Sequence, residues 1–476
     1  METPFPLRPL SIAHRGASAY APGNTIQAFR KAAILGADMW EVDIRATLDG
    51  VPVVFHDAAL ADGQLVATLT RDELRELCPE CPDLAEVVAL AVEENTGIYA
   101  DIKDKDAALA AYDLLSDAKV APVIIGAFDP EIVRLLNDAG STYPVAGLVP
   151  VGVDPHEHAR DADVIHLCWE HMDRPQDGLS HEFFLRAFSD GKGVVLWHEE
   201  DPARMTDLRT KPVIGICSDM PELVKPFLPS AEYPFGIVCH RGANKIAPEN
   251  TLPALECALA AGFSHIEVDL HVTTDGHIVV IHDATLQRTT DGEGTVAGKT
   301  LEELRTLDAG SWFDPFFNGT RIPTLTEVLD LLERYDGKAY LELKSAPPGP
   351  VVDMVVNRGL LDRVFFWSFN RGYLVELRRI CPEATIMSRR MDYPTLGEAL
   401  RDYDADIIEF RPDDEPMEIA SLRGSAVRTM IAYSGGQQDI FDRMIQMRPD
   451  MFNLDQPFAF SKYSVGKLAY VKGGAS

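Results

Sequence analysis

Short hydrophobic runs alternate along the whole chain with longer segments that have the periodicity of amphipathic helices. The runs are rich in β-branched and aromatic residues, whereas segments such as 251–262 and 326–335 repeat their apolar positions every three or four residues. Such alternation is typical of parallel strands that are joined by crossover helices. The pattern therefore predicts an α/β architecture.

Each half of the chain contains its own series of strand-like runs. The first series is SIA, MWEVDIRA, VPVVFHD, GIYADIK, PVIIGAF, ADVIHLC, GVVLW and PVIGICS, and the second is GIVC, HIEVDLHV, HIVVIHD, KAYLELK, RVFFWSF, TIMS, DIIEF and MIAY. About eight strands per half fit a (β/α)₈ barrel, which occupies about 250 residues. We therefore expect two tandem (β/α)₈ TIM-type barrels, at residues 1–230 and 231–476, with a boundary in the proline-bearing segment 221–234.

One connection in each half is too short to contain a crossover helix. In the second half only a few residues around Asp275-Gly276 separate HIEVDL from IVVIHD. Parallel neighbours need a dozen or more connecting residues, so we expect a hairpin here. A two-residue loop places Asp269 opposite His282, and a turn shifted by one residue places Glu267 opposite His282. Either register predicts that these three side chains share one face.

The composition limits the partners of the chain. Its 476 residues include 44 Lys plus Arg against 74 Asp plus Glu, which gives a formal net charge of −30. This charge would repel phosphate backbones and anionic lipid surfaces, so nucleic acid is not expected as a partner. The longest apolar runs, such as 84–92, are about half of what a bilayer crossing needs. The seven cysteines have no framework spacing and the start METPFPLRPL resembles no secretory signal, so we expect a cytoplasmic protein without membrane insertion.

Three carboxylates of the second half lie in predicted strands. Glu267 and Asp269 belong to HIEVDLHV, and Glu342 belongs to KAYLELK. We expect them near the carboxyl ends of the strands, where the active sites of barrels lie. Carboxylates are hard oxygen ligands, so this group is suited to Mg²⁺ or Ca²⁺.

Basic residues also lie at the ends of predicted strands in the second half. Arg241 and Lys344 can hold the oxygens of a phosphate, whose charge grows in the transition state. His240 and His282 can divide the proton transfers between an attacking oxygen and a leaving alcohol. Each motif alone is commonplace as a solvated turn, a capped strand end or an exposed ion pair. Their occurrence together, in order and twice, favours a phosphodiesterase.

The order of motifs in the second half resembles the signature of the glycerophosphodiester phosphodiesterase family. The motifs are His240-Arg241-Gly242, Pro248-Glu249-Asn250-Thr251, Glu267-x-Asp269, His282-Asp283 and Glu342-x-Lys344. The resemblance covers nearly the whole chain, in two copies. It implies a metal-dependent hydrolysis of glycerophosphodiesters to glycerol 3-phosphate and an alcohol, with His240 as general base and His282 as general acid. An attack by the substrate's own glycerol hydroxyl and direct hydrolysis by water both stay open.

Four further residues are expected to contact the substrate. Glu249 and Asn250 belong to the second motif, and Trp312 and Phe313 lie in a Phe-rich loop on the expected substrate side of the barrel.

The first half repeats the motifs with three departures, at an offset of 226 residues as far as the His-Asp motif. The retained residues are His14, Arg15, Glu41, Asp43, His56, Asp57 and Lys103. Gly23 replaces Glu249, Asp101 replaces Glu342, and the loop DAGSWFDPFFNGTRIPTL is reduced to CPECPDL. Asp101 is still a hard ligand, so Glu41, Asp43 and Asp101 are expected to form a metal-capable site with weak or altered turnover. The alternative is a decayed barrel with a structural or substrate-sensing role.

Two interpretations concern the ends of the barrels. Tyr433 is expected in the second half where the first half has Trp197, and Asp219 and Asp455 are interpreted as structural caps. Two rival functions stay open for the chain as a whole. One is a phosphodiesterase with a different head group or a cyclic phosphate product, as in the sphingomyelinase D relatives. The other is a non-catalytic protein that binds phosphoesters.

Overall fold

The computed structural model describes residues 8–169 and 175–473 of the chain. By its contacts the chain divides into two compact units, Met1–Lys225 and Pro226–Ser476. Each unit is a (β/α)₈-type barrel in which eight parallel strands are joined mostly by helices, and each adds one short antiparallel strand. The fold class predicted from the sequence is therefore confirmed.

The first unit is a closed barrel. Its strands are β1 (Leu10–Ala13), β2 (Met39–Ala46), β3 (Pro52–Val54), β4 (Gly97–Ile102), β5 (Val123–Ala127), β6 (Val145–Val149), β7 (Val164–Leu167), β8 (Gly193–Leu196) and β9 (Gly215–Ser218). The parallel strands pair in chain order, and β1 pairs with both β2 and β9, which closes the ring. The antiparallel strand β3 pairs with β2. Its helices are α1 (Ile26–Ile34), α2 (Arg71–Leu77), α3 (Leu84–Glu94), α4 (Lys105–Asp117), α5 (Pro130–Asp138), α6 (Pro155–His158), α7 (His181–Ser189), α8 (Pro202–Leu208) and α9 (Pro221–Val224).

The second unit repeats this order. Its strands are β10 (Gly236–Cys239), β11 (His265–Val272), β12 (Ile278–Val280), β13 (Lys338–Leu343), β14 (Val364–Trp367), β15 (Met387–Arg389), β16 (Ile407–Phe410), β17 (Arg428–Tyr433) and β18 (Met451–Leu454). The ring runs in chain order, except that β12 only pairs with β11, and a single bridge between Phe366 and Ile386 joins β14 to β15. Its helices are α10 (Leu252–Ala260), α11 (Leu301–Leu304), α12 (Leu325–Tyr335), α13 (Pro348–Asn357), α14 (Arg371–Ile380), α15 (Leu396–Arg401), α16 (Pro416–Leu422), α17 (Gln438–Met447) and α18 (Pro457–Gly473).

The predicted hairpin between β11 and β12 exists, but both predicted registers are wrong. Leu270 pairs with Val280, and the loop contains three residues, 274–276, with Gly276 at a φ of +88°. The longer loop shifts the pairing by one position, so His282 lies beyond the last pair of the hairpin. His282 therefore lies in the segment that follows β12, and the strand pairing of the hairpin does not determine the direction of its side chain.

The interior of the first barrel is filled by apolar side chains. The buried cluster contains Ile12, Met39, Tyr99, Ile124, Ala146, Leu148, Val164, Val195, Trp197 and Cys217. Outside the barrel, Cys78 and Cys81 are joined by a disulfide in the connection between α2 and α3. Among the described residues, no helix combines the length and the apolar character that a bilayer crossing requires.

The glycine of each His-Arg-Gly motif allows a close backbone approach. Gly242 has a φ of +80°, and a Cβ atom there would lie 2.8 Å from the carbonyl carbon and oxygen of Ala254 in α10. Gly16 in the first unit has a φ of +85° and would place a Cβ atom 2.7 Å from the carbonyl carbon of Ala28 in α1. A side chain at either position would meet both strain and backbone overlap. The motif therefore fixes the loop that carries the histidine and the arginine.

A Gly242→Ala substitution is expected to lower the free energy of unfolding by about 2 to 4 kcal/mol, because left-handed strain and overpacking add. Gly276→Ala is the matched control, since its φ is +88° but no heavy atom lies within 4 Å of the added carbon. The control should lose only about 1 kcal/mol. Chemical denaturation of the two variants measures both values, and equal losses would contradict the proposed backbone contact.

Candidate active site

Three carboxylates converge inside the second barrel. Glu267, Asp269 and Glu342 each offer an oxygen that lies within 4.8 Å of the others. Glu267 and Asp269 lie two positions apart on β11, so both face the barrel interior, and Asp269 is the direct neighbour of Glu342 on β13. The structure thus brings the predicted metal ligands of the second unit together.

Backbone and side-chain donors hold this cluster. Arg241 adopts a φ of +58°, and its backbone N–H donates to Glu267 Oε2 at 2.7 Å. Asn250 Nδ2 donates to Asp269 Oδ2 at 2.7 Å, and Asn250 is itself buried. The second motif therefore orients a predicted metal ligand through Asn250.

The remaining carboxylate oxygens suit a divalent cation. Glu267 Oε1, Asp269 Oδ1 and Glu342 Oε1 are buried and accept no well-aligned hydrogen bond from the described residues. Lys344 supplies positive charge beside two of them, since it pairs with Glu342 and its Nζ lies 3.2 Å from Asp269 Oδ1. Hard oxygens that are buried and lack hydrogen bonds fit the coordination chemistry of Mg²⁺ or Ca²⁺.

Electrostatics within the cluster favour added positive charge. Burial raises the pKa of Glu267 well above its usual range, and the charges of Asp269 and Glu342 raise it further. Burial, followed by the charge of Asp269, also raises the pKa of Glu342. Burial acts in the same direction on Asp269, but Lys344 and His282 outweigh it and lower the pKa of this carboxyl. The ionised cluster is therefore stable only with cations close to it.

Both predicted catalytic histidines of the second unit are held through Nδ1. His240 Nδ1 lies 2.6 Å from Asp455 Oδ1, and His282 Nδ1 lies 2.6 Å from Asp283 Oδ1. A carboxylate at Nδ1 fixes the ring and leaves Nε2 for proton transfer. Asp455 is therefore not a mere structural cap, as the sequence suggested. Its position directly after the last strand of the barrel was the signal that could have revealed this role.

Arg288, which the sequence analysis did not single out, links two signature motifs. Its Nε donates to Asp283 Oδ2 at 2.6 Å, and its Nη1 and Nη2 donate to the two Glu249 oxygens at 3.0 and 2.7 Å. Arg241 Nη1 also donates to Glu249 Oε1 at 2.9 Å. Glu249 thus joins two guanidinium groups, and Arg288 in turn holds the aspartate that orients His282.

The predicted aromatic wall lies in the loop after α11. Trp312 is 40% exposed and donates its indole N–H to the carbonyl oxygen of Ala309 at 2.9 Å, and its ring lies 5.8 Å from that of Phe313. The described contacts of Trp312 are thus with its own loop. A substrate contact by Trp312 and Phe313 stays a prediction.

The first barrel also gathers its three predicted ligands. Glu41, Asp43 and Asp101 each offer an oxygen within 4.8 Å of the others. Lys103 Nζ lies 2.8 Å from Asp43 Oδ1, as Lys344 does near its own cluster. Burial raises the pKa of Asp101 to about 6 and that of Glu41 well above its usual range. The shorter Asp101 therefore still completes a cluster of three carboxylates, and Arg15 donates its backbone N–H to Glu41 at 2.9 Å.

The surroundings of the first histidine differ between the units. His14 bonds Asp219 through Nδ1 at 2.7 Å, but Trp197 contacts its ring edge-on at 5.0 Å and His198 stacks on it at 4.8 Å. Only 7% of the His14 side chain is exposed, against 32% for His240. Burial lowers the pKa of His14 despite the opposing effect of Asp219. The imidazole of the first unit is thus covered.

Strand pairing corrects the expected place of Tyr433. The segments ADVIHL and ADIIEF correspond, and the registers of β7 with β8 and of β16 with β17 then align Trp197 with Ala432 and His198 with Tyr433. The second unit therefore has a small side chain where the first unit has the indole that covers His14. This difference explains why His240 is more exposed.

The second histidine of the first unit lacks the arginine link. His56 Nδ1 lies 2.7 Å from Asp57 Oδ1, but 43% of the His56 side chain and 74% of the Asp57 side chain are exposed. Gly23 occupies the position of Glu249, and the shorter connection after His56, residues 57–65, contains no arginine that could correspond to Arg288. Both ends of the charged link are therefore replaced together.

Comparison with known proteins agrees with this arrangement. The model of the glycerophosphoryl diester phosphodiesterase family matches residues 14–223 and 240–387, which is more than half of the chain. The chain belongs to this family. Both barrels of the family member contribute to the match, which includes each of the two carboxylate clusters.

Two curated relatives and one solved structure illustrate the similarity. A glycerophosphodiester phosphodiesterase of Caldanaerobacter subterraneus subsp. tengcongensis is 41% identical over 156 residues, which are 32% of this chain and 64% of the relative. One of Bacillus subtilis is 35% identical over 164 residues, 30% of this chain and 56% of the relative. The crystal structure of one from Agrobacterium tumefaciens has 35% identity and a TM-score of 0.46, and the match covers 48% of this chain and 99% of that one.

A divalent cation is expected to raise the melting temperature of the protein, and more so as the pH rises from about 5 to about 8. The raised pKa values of Glu267 and Glu41 mean that these carboxyls are protonated at low pH, so the ionised, cation-binding form appears only as the pH rises through the folded pKa. The value of about 6 for Asp101 places the change in the first unit near that pH. Differential scanning fluorimetry with Mg²⁺ or Ca²⁺ measures this shift.

The variants Glu267→Gln and Glu41→Gln assign the shift to a unit. Each substitution should remove the part of the cation-induced shift that arises in its own barrel. A shift that is independent of pH and survives both substitutions would show that the cations bind elsewhere.

Proposed function

We propose that the second unit hydrolyses glycerophosphodiesters to glycerol 3-phosphate and an alcohol with the help of Mg²⁺ or Ca²⁺. The main support is that a buried carboxylate cluster, two basic side chains and two Nδ1-anchored histidines meet in one barrel. The family membership and the names of the relatives support the substrate class. On this proposal residues 231–476 form the active domain and residues 1–230 a divergent domain of the same family.

Each side chain has a defined task in this reaction. Glu267, Asp269 and Glu342 would hold the cation, which when bound would neutralise charge on the phosphate oxygens. Arg241 and Lys344 bind and orient the same oxygens through charge-assisted hydrogen bonds. The phosphate would thereby be fixed between the two histidines.

The histidines would move the protons. His240 Nε2 accepts the proton of the attacking hydroxyl while the new P–O bond forms. Attack by water gives glycerol 3-phosphate directly, whereas attack by the substrate's glycerol hydroxyl gives a cyclic phosphate that water must then open. His282 Nε2 donates a proton to the leaving alcohol oxygen as its bond to phosphorus breaks. Asp455 and Asp283 hold the two rings in the orientation that this division requires.

We propose that Glu249 acts through the arginines that it joins. Its two oxygens are engaged by Arg241 and Arg288, so it would position the phosphate-binding guanidinium and, through Asp283, the general acid. The first unit lacks Glu249 and Arg288 at once. This loss, and the burial of His14, support weak or altered turnover in a first site that still has His14, Arg15, His56 and Lys103.

Two other functions give different outcomes. A cyclic phosphate as final product would favour a sphingomyelinase D-like reaction. Binding of phosphoesters without turnover of any diester would favour a non-catalytic protein. A location in the cytoplasm stays a prediction from the sequence.

His240→Ala is expected to lower kcat for glycerophosphocholine by about 10² to 10⁴, because a general base is lost. His14→Ala is the matched control and should have a much smaller effect. Coupled enzymatic detection of glycerol 3-phosphate in the presence and absence of a chelator measures the activity. If His14→Ala abolishes turnover and His240→Ala does not, the active unit is the first one.

Arg288→Met should lower kcat by about 10- to 100-fold with little change in KM, because His282 loses its fixed orientation while the phosphate contacts stay. Glu249→Gln combined with Arg288→Met should cost little more than either change alone, since both break one linked group. Asp62→Asn, in the connection that follows His56 in the first unit, is the control. A rise in KM alone would mean that Arg288 binds the substrate directly.

A further inference from the structure

Two charged residues outside the signature motifs face the opening of the second barrel. Arg389 ends β15 and is the direct neighbour of Glu409 on β16. The Arg389 side chain is only 20% exposed, and Glu409 is half-buried. Charged side chains at adjacent strand ends of a barrel lie where ligands bind.

Aromatic rings and a carboxylate hold the guanidinium group in place. The Arg389 Cζ atom lies 4.5 Å from the ring centre of Trp367 and 4.7 Å from that of Phe369. Asp392 accepts from its Nε at 2.9 Å and from its Nη2 at 2.7 Å. Because Asp392 balances the positive charge of Arg389, the guanidinium group contributes mainly fixed hydrogen-bond donors and little net charge.

Phe369 connects this group to the site described above. Lys344 Nζ lies 5.4 Å from the Phe369 ring centre, so the phosphate-binding lysine and Arg389 contact the same ring. Trp367 is also the direct neighbour of Glu342 in the sheet. Arg389 is therefore adjacent to the cluster that would hold the cation.

Glu409 supplies an acceptor on the same side. Asn453 Nδ2 lies 3.5 Å from its Oε2, a weak contact that leaves the carboxyl group open to a further partner. Burial raises the pKa of Glu409 to about 7, against the opposing effects of Asn453, Arg389 and His240. The carboxyl group is thus electrostatically coupled to the predicted general base.

The first barrel contains nothing comparable at these positions. Strand pairing aligns Gly126 with Trp367, Leu148 with Arg389 and His166 with Glu409. A Cβ atom on Gly126 would lie 2.4 Å from a backbone carbonyl oxygen, so a tryptophan does not fit there.

Trp197 occupies the corresponding space in the first unit. Its ring lies 4.9 Å from that of His166, and His166 is fully buried and bonded through Nδ1 to the Tyr99 hydroxyl at 2.7 Å. In the second unit Ala432 replaces this tryptophan, so no indole from this position covers the polar pair of Arg389 and Glu409.

We propose that Arg389 and Glu409 bind the vicinal hydroxyl groups of a neutral polyol moiety, of the glycerol type, on the substrate of the second unit. This inference rests on the proposed phosphodiesterase function. Guanidinium N–H groups donate to hydroxyl oxygens, and the Glu409 carboxyl group exchanges hydrogen bonds with hydroxyls in either protonation state. The pair therefore determines which phosphoesters the second unit prefers. The carboxylate cluster and its cation bind the phosphate group that all these phosphoesters share.

The same geometry argues against a quaternary ammonium group in this place. Such a cation is recognised by open aromatic faces, but Arg389 already lies over Trp367 and Phe369. A long acyl chain would leave the donors of Arg389 and the oxygens of Glu409 without partners.

Calorimetric titration of the full-length protein in the presence of Mg²⁺ tests the inference. The probes are sn-glycerol 3-phosphate, inorganic phosphate and phosphocholine. The wild type should bind glycerol 3-phosphate about 10- to 100-fold more tightly than inorganic phosphate, and phosphocholine no more tightly than inorganic phosphate. Tighter binding of phosphocholine, or equal binding of all three probes, would overturn the inference.

Two variants assign the preference to the pair. Glu409→Gln and Arg389→Met should each reduce the preference for glycerol 3-phosphate by about tenfold and leave the affinity for inorganic phosphate unchanged. Leu148→Met, at the corresponding position of the first unit, should change neither value. An equal loss of affinity for both ligands would identify a merely structural role. If one variant fails to fold, as its melting curve would show, the other decides.

Turnover of glycerophosphocholine, measured in parallel, separates this inference from the proposed function. If there is no turnover but the preference for glycerol 3-phosphate is intact, the enzymatic function is contradicted and the polyol-binding role of Arg389 and Glu409 is retained. Normal turnover without that preference contradicts only the role of Arg389 and Glu409.

Discussion

The concentration of negative charge inside each barrel is the constraint on which the rest of the structure depends. Three buried carboxylates that approach within 4.8 Å repel one another strongly in a medium of low polarity. Three groups in each barrel offset this repulsion, namely a lysine beside the cluster, an arginine whose backbone N–H points toward it, and a buried asparagine. The left-handed backbone of Arg15 and Arg241, with φ values of +54° and +58°, follows from this requirement because it turns the N–H toward the first glutamate.

The two barrels keep this charge arrangement and differ in what surrounds it. In the second barrel Glu249 and Arg288 connect Arg241 to Asp283, the aspartate that is bonded to His282. The first barrel has Gly23 in place of Glu249 and no arginine in residues 57–65 after His56, and an indole fills the space beside His14. A carboxylate cluster requires only local support, so it can persist without the longer-range link from the arginine of the His-Arg-Gly motif to the aspartate beside the second histidine.

The interiors of the two barrels differ in the position of one tryptophan. The first barrel combines Gly126 with Trp197, and the second combines Trp367 with Ala432, so the bulky ring lies on opposite sides of the site. In the first barrel the ring covers the histidine, and in the second it supports Arg389. The second unit therefore has both an accessible His240 and the polar pair of Arg389 and Glu409, whereas the first unit has Leu148 and the buried His166 at the positions of that pair.

The sequence alone was sufficient to predict the two barrels and the two carboxylate clusters, because the alternation of strands with helices and the spacing of the motifs are local patterns. Spacing also predicted the hairpin after β11, but not its register, since a single extra loop residue shifts every pair. The pairing of Asp455 with His240, the role of Arg288, and the match of Trp197 with Ala432 were decided only by the tertiary structure. These contacts join residues from separate strands, and their geometry depends on barrel closure, which no local pattern encodes.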